Sequence, residues 1–257
     1  MYENFVIAED CFNVMASMPD GIMDVIICDP PYNMSMETNQ EVRRLGVGGQ
    51  DKGSILCQKG DWDKWTNEDF DRFNYNWLVE CNRLLKPDKG TIWVFASFHN
   101  LGYILYNMYS LPYYILNLIT LEKTNATPNF TGRRLCASTE FVVWARKSKK
   151  DKYYFNYKLA KKLNGGKQMR STWITRSTPR GEKVFGKHPT QKPLDILKRI
   201  VEISTEEGDL VFDPMCGSGT ALVAAKTLNR KYCGCDLSPE YIEITHKRLD
   251  AVTPRLI

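Results

Sequence analysis

The stretch VFDPMCGSGTALVAAKTLN, residues 211–229, decides how this chain is read. A short apolar strand runs into a turn holding Gly217 and Gly219, and a helical run follows at once. Strand, glycine turn and helix start make a cradle for a nucleotide-type ligand, because backbone N–H groups at the helix start face it. The two glycines let the backbone approach that ligand with no side chain between. About twenty residues on, the next strand, KYCGCD, ends on Asp236. An acid there can accept both hydroxyls of a ribose. The alternative is that Asp236 caps the helix starting near Ser238 and Pro239.

Other short apolar runs read as strands: DVIIC (24–28), TIWVFA (91–96), ILNLITL (115–121) and EFVVWA (140–145). Near-continuous apolar strands are buried on both faces, as in parallel sheets. Helical stretches fall at about 67–85, 99–109, 193–204, 219–229 and 238–250. The alternation predicts an α/β fold with a doubly wound, Rossmann-like sheet, whose ligands bind beyond the carboxyl ends of the strands. Two regions break the pattern. Residues 34–60 are glycine-rich and charged and read as a mobile loop. Residues 146–187 begin with the basic tract RKSKKDK and continue polar, and such long loops in a compact domain serve function or stay disordered.

The 257 residues suffice for one large domain, 1–257, and the net charge of +5 permits a polyanionic partner without requiring one. No run of about 18 apolar residues predicts a membrane span. MYENFVIAED lacks the basic and apolar parts of a secretory signal. A cytoplasmic protein is expected, so its eight cysteines read mostly as small buried hydrophobes. Cys233-Gly-Cys235 does not have structural-zinc spacing, and no carboxylate cluster asks for a metal.

Ahead of the glycine turn, Asp213-Pro214 adds a carboxylate, and the third glycine of a dinucleotide fingerprint is absent. This suits a ligand with an adenosine and a positive head, which describes S-adenosylmethionine. A second motif, CDPPYN (28–33), follows the strand VII. Its prolines fix two φ angles. The result is a stiff turn holding a carboxylate, a carbonyl and a ring in fixed relation, built to grip something small and flat.

Together these motifs resemble the amino-methyltransferases of DNA. Asp29-Pro30-Pro31-Tyr32 matches their catalytic pattern [DNS]-P-P-[YFW], and DPMCGSGT is similar to their cofactor loop D-P-F-x-G-S-G-T. Met215 replaces the Phe. The catalytic motif comes first by about 180 residues, the permuted order of the β group. KHPTQKP (187–193) matches the segment that packs on the methionine end of the cofactor in that group. KGDWDKW (59–65), TNATPNF (124–130) and LNGGKQM (163–169) resemble the small GATC-modifying adenine enzymes of restriction systems, with Ala126 in place of a Pro.

The resemblance implies a site-specific methyltransferase acting from S-adenosylmethionine on the N6 amine of a flipped adenine. Asp29 and the Pro30 carbonyl would take the amine protons, Pro31 would stiffen the turn, and Tyr32 would stack on the base. Cofactor contacts are implied for Asp10, Cys11, Phe12 and Asp29, for His188, Thr190 and Lys192, and for Asp236. The loop adds Asp213, Pro214, Met215, Cys216, Gly217, Ser218, Gly219 and Thr220. Lys192 reads either as a carboxylate binder or as a solvated lysine. His99 and His246 read as surface or satisfied core histidines.

DNA is the expected partner, double-stranded, with single strands also admitted. Arg43, Arg44, Asn129, Arg133 and Arg134 are candidate contacts. Residues 148–186 are the expected inserted target-recognition segment, with Lys167, Gln168, Arg170 and Arg176 reaching phosphates or base edges. The run 146–152 reads as solvated or as phosphate-binding. The resemblance further admits a homodimer and a cognate restriction endonuclease encoded nearby. Rival readings are cytosine-N4 methylation, glutamine methylation in a protein, and a catalytically silent DNA-binding module.

Overall fold

The computed structural model describes residues 2–33, 65–129, 132–186 and 188–253. The expected loop over 34–60, with Arg43 and Arg44, lies outside the described residues. So do most of KGDWDKW, Phe130 of TNATPNF and Lys187 of KHPTQKP.

Three strands are buried at every position: β2 (Val25–Cys28), β3 (Thr91–Ala96) and β7 (Leu210–Asp213). Apolar on both faces, they take the middle of an eight-stranded sheet. The others are β1 (Phe5–Ala8), β4 (Tyr114–Lys123), β5 (Thr139–Arg146), β6 (Thr172–Thr175) and β8 (Lys231–Asp236). The order is β1-β8-β7-β2-β3-β5-β4-β6, and β5 alone runs against its neighbours.

Helices α1 (Cys11–Ala16), α2 (Asn67–Leu84) and α3 (Leu101–Ser110) cover one face, packing Trp77, Leu78 and Ile104 on Ile26, Ile92 and Phe212. On the other face are α4 (Tyr157–Leu163), α5 (Leu194–Ser204) and α6 (Thr220–Thr227), which meet Val25, Ile27, Trp93 and Val211. A last helix, α7 (Pro239–Asp250), packs on α6 and β1. Thr66 and Ser238 start α2 and α7 by accepting the backbone N–H three residues on.

β2 and β7 are parallel neighbours, yet β2 leads to α2 on one face and β7 to α6 on the other. The chain therefore parts above their carboxyl ends, which opens a crevice there. That switch point is the position expected from the sequence.

Segment 148–186 departs from the expectation. It does not interrupt the sheet: it contributes α4, with Ala160 buried, and the edge strand β6, with Trp173 and Thr175 buried. The basic run before it is also reassigned at its start. Arg146 pairs across the sheet with Thr91, at the amino ends of the parallel strands, opposite the crevice. Its guanidinium lies between the rings of Tyr114 and Tyr153 and donates to the Asp151 carbonyl. Lys147 donates to the carbonyls of Asn82, Arg83 and Leu85 at the end of α2. Both cations close the fold instead of facing solvent.

Candidate active site

A cavity of about 280 Å³ fills the crevice. Every residue expected at the cofactor or in catalysis lines it except Gly219. Gly219 instead begins α6 in a left-handed conformation (φ 70°), where a Cβ would fall 2.3 Å from the Thr245 side chain. Gly217 (φ 50°) faces His188, whose Nε2 would be 2.8 Å from an added Cβ. The loop thus has room only for glycine at both positions.

Asp236 ends β8 and points into the cavity. One carboxylate oxygen accepts the Gly217 N–H at 2.9 Å, the other the Ser238 N–H at 2.9 Å. Ser238, not Asp236, is the cap of α7. On the far side of the loop, α7 supplies two braces absent from the sequence reading. Thr245 donates to the Gly217 carbonyl at 2.9 Å, and the buried Arg248 donates to Ser218 and to the Thr220 hydroxyl. At the cavity's other end, Asp10 caps α1 through the Phe12 N–H at 2.7 Å.

Asp29 leaves β2 into the Pro30-Pro31 turn. Its Oδ1 accepts the Tyr32 hydroxyl, and its Oδ2 accepts from the Lys192 ammonium. Lys192 also donates to Tyr32 Oη at 3.0 Å. Buried Asn100 steadies the turn from the end of β3 by donating to the Pro31 carbonyl. Asn33, next in the chain, bonds both backbone groups of Trp65, whose ring stacks on Phe73 at the cavity wall.

Charge in the cavity is predominantly negative. Asp29, Asp213 and Asp236 converge on it. Burial holds the Asp213 carboxyl well above the usual range, and Asp29 and Asp236 push it further. Burial likewise raises Asp236. A cationic ligand would relieve this repulsion, which fits a sulfonium with an ammonium group. Burial drives His188 down to about 4, so its ring is neutral at neutral pH. The Cys11 thiol, raised by burial to about 12, stays protonated and is no nucleophile.

The family model for DNA methylase, N6/N4 type, matches residues 23–247. The chain belongs to this family. This DNA methyltransferase is 41% identical over 248 residues to the Type II methyltransferase M2.DpnII of Streptococcus pneumoniae, covering 96% of this chain and 89% of that one. It is 40% identical to M2.MboI of Moraxella bovis, covering 99% and 90%. Among solved structures, the M1.HpyAVI–SAM complex superposes with a TM-score of 0.66 at 26% identity, over 95% of this chain and 98% of that one. PvuII, a cytosine-N4-specific DNA methyltransferase, shares the fold with a TM-score of 0.73 at 17% identity, over 96% and 86%. The fold is that of the S-adenosylmethionine-dependent DNA methyltransferases, and DNA is the substrate.

The methyltransferase's candidate DNA contacts divide by position. Asn129, Arg133 and Arg134 lie between β4 and β5 at the crevice end of the sheet, both arginines exposed. Ser177 N–H bonds Asn125, tying that loop to the chain after β6. Arg176 therefore shares this end. Lys167, Gln168 and Arg170 are also exposed but precede β6, about 10 Å of strand away. Gln191 is a cavity residue the sequence reading passed over, sitting between two it named. Its Nε2 donates to the Glu182 carbonyl, while its buried Oε1 has no partner among the described residues. Among the described residues, no helix is long and apolar enough to cross a membrane.

Proposed function

We propose that this DNA methyltransferase moves a methyl group from S-adenosylmethionine to the exocyclic N6 of an adenine flipped out of GATC. One observation carries the reading: Asp29 at the end of β2 and the glycine loop with Asp236 face the same cavity. Bound there, S-adenosylmethionine supplies a sulfonium-bound methyl, the electrophile for in-line displacement. Asp236 holds the ribose, and the glycine loop with His188 and Thr190 encloses the methionine end. Asp29 and the Pro30 carbonyl accept the two amine protons, which turns the nitrogen lone pair out of ring conjugation and aims it. The contribution is positioning and electrostatics. Tyr32 stacks on the base, offsetting part of the flipping cost, on the order of 1–3 kcal/mol per base.

Asp29 favours adenine, since Ser is commoner at that position in the cytosine enzymes. Arg133, Arg134 and Arg176 hold DNA over the crevice, with 148–186 as the target-reading segment of a single domain. Resemblance to restriction-system enzymes supports a cytoplasmic homodimer with a cognate endonuclease encoded nearby. The test is transfer of tritium from labelled cofactor to DNA, followed by nucleoside analysis. N6-methyladenine confirms the reading, while N4-methylcytosine or no label overturns it. Failure to protect GATC from a methylation-sensitive nuclease overturns the site but not the chemistry.

A further inference from the structure

Lys192 was expected to bind a carboxylate, or to lie in solvent. In the structure its carboxylate partner is Asp29. Its side chain is nine-tenths buried, and its ammonium is bonded to Asp29 and Tyr32. The rings of Tyr32 and Phe95 flank it, with centroids 5.1 and 5.3 Å away. Such rings stabilise a desolvated cation. Three polar groups from two segments 160 residues apart thus close a triangle. In it, both oxygens of the carboxylate are occupied by donors: an ammonium and a hydroxyl.

Two donors are also what an exocyclic amine presents. We propose that Lys192 is a positioning residue for methyl transfer: it pins one oxygen of Asp29, holds a positive charge against the carboxylate, and leaves the oxygen now held by the Tyr32 hydroxyl as the seat of an amine proton. This rests on the reading of Asp29 above. The motif pattern admits Phe or Trp in place of Tyr32, so stacking does not need the hydroxyl. Here the hydroxyl holds the acceptor in its working orientation until the base takes over. The same pattern admits Asn or Ser in place of Asp29, and a buried lysine is matched only to the charged version.

The physical need is plain. A partly buried carboxylate takes up a proton more readily once the cation in contact with it is removed. Protonated, Asp29 would offer a donor to an amine that needs an acceptor. Among the described residues, the surroundings do not supply the missing charge. His188, facing Asp29 from the same segment as Lys192, is neutral. Asp213 at the end of β7 supplies no cation, and Glu140 of β5 acts on Lys192 and Tyr32 as a further negative charge. Cys28 and Tyr32, beside Asp29 in the chain, stay protonated, their groups raised by burial. Among the described residues, Lys192 is the cation in contact. Burial opposes its charge, but Asp29, Glu140 and Asp213 outweigh burial, so it stays an ammonium throughout the working range.

The test uses the full chain with Lys192→Met, Lys192→Arg and Asp29→Ala. Two quantities are measured for each: single-turnover transfer from saturating labelled cofactor to a GATC duplex, between about pH 5 and 9, and cofactor Kd by calorimetry. In Lys192→Met the rate should fall roughly 10- to 100-fold at neutral pH, the range for groups that orient a reacting ligand. The acid limb of the profile should rise by about one unit or more. Lys192→Arg should keep the acid limb of the wild type, and Kd should stay within about threefold in both. An unmoved acid limb in Lys192→Met overturns the proposal. So does a Kd raised about tenfold or more with the rate intact, which would return Lys192 to the cofactor. Asp29→Ala separates the levels: if it transfers as the wild type does, the amine-acceptor reading has failed. If it is inactive while Lys192→Met keeps the wild-type profile, only Lys192 has been misassigned.

Discussion

Asp236 and Asp29 end two strands of one sheet and face one cavity, yet they are satisfied in different ways. Asp236 is bonded to backbone N–H groups of the glycine loop and of the start of α7. Behind it, Thr245 and Arg248 fasten the same loop by its carbonyls. In each of those bonds one partner is a backbone group, which moves only with the chain. Asp29 is bonded to two side-chain tips, Tyr32 and Lys192, and a tip can rotate away or be replaced. The seat proposed for the cofactor is therefore anchored on backbone groups, whereas the seat proposed for the base is anchored on side-chain tips.

The sharpest break of this comparison is Asp29→Ala. Methyl transfer should fall by roughly 10² to 10³-fold or more, while cofactor Kd by calorimetry weakens only modestly. Asp236→Ala should do the reverse. The loss of a charge-assisted bond and the loosening of Gly217 should raise Kd roughly 10- to 100-fold, with a smaller change in rate at saturating cofactor. Equal effects of the two substitutions on Kd would erase the distinction between the halves.

Arg248→Met tests whether the loop is braced from behind. It strands the Ser218 and Thr220 oxygens and should cost about 1–3 kcal/mol of stability in urea unfolding. A third region sharpens the picture. Arg176→Ala should lower methylation about tenfold or more on the cognate site, mainly at one base position, if it reads a base edge. Lys149, exposed at the opposite end of the sheet, should tolerate alanine without measurable effect. A further effect concerns pH. His188 titrates near 4 in the fold and near 6.5 when unfolded. Between these values the unfolded chain binds the proton and the folded chain does not, so stability falls as pH drops through that window. His188→Gln should flatten that part of the stability curve relative to wild type.

The central fold was legible because burial on both faces writes itself as apolar runs: VIIC, TIWVFA and LVF sit where they were expected. The edges were not. β1 and β6 are four residues long, and with Ile7 and Ile174 exposed they carry only a brief alternation. β6 was further hidden in a polar segment that read as an insert. The cavity's own residues were legible from the motifs, whose chemistry is local in sequence. Its braces were not, since Arg248 reaches Ser218 across 30 residues with no mark at either place. Lys192 shows the same limit. Its residue type suggested a carboxylate partner, but nothing in the chain said that the carboxylate was Asp29, 163 positions away. The basic clusters show it in reverse: 146–147 and 133–134 look alike as text, and only the sheet places the first pair inside the fold and the second at the crevice.

The most direct test of one cavity joining cofactor to acceptor is a crystal structure with a non-transferable analogue of S-adenosylmethionine. The ribose hydroxyls should bond Asp236, and the methyl position should point toward Asp29, leaving room for an amine at about 3–3.5 Å from it. A ribose seated away from Asp236, or a methyl position turned from Asp29, would contradict the account.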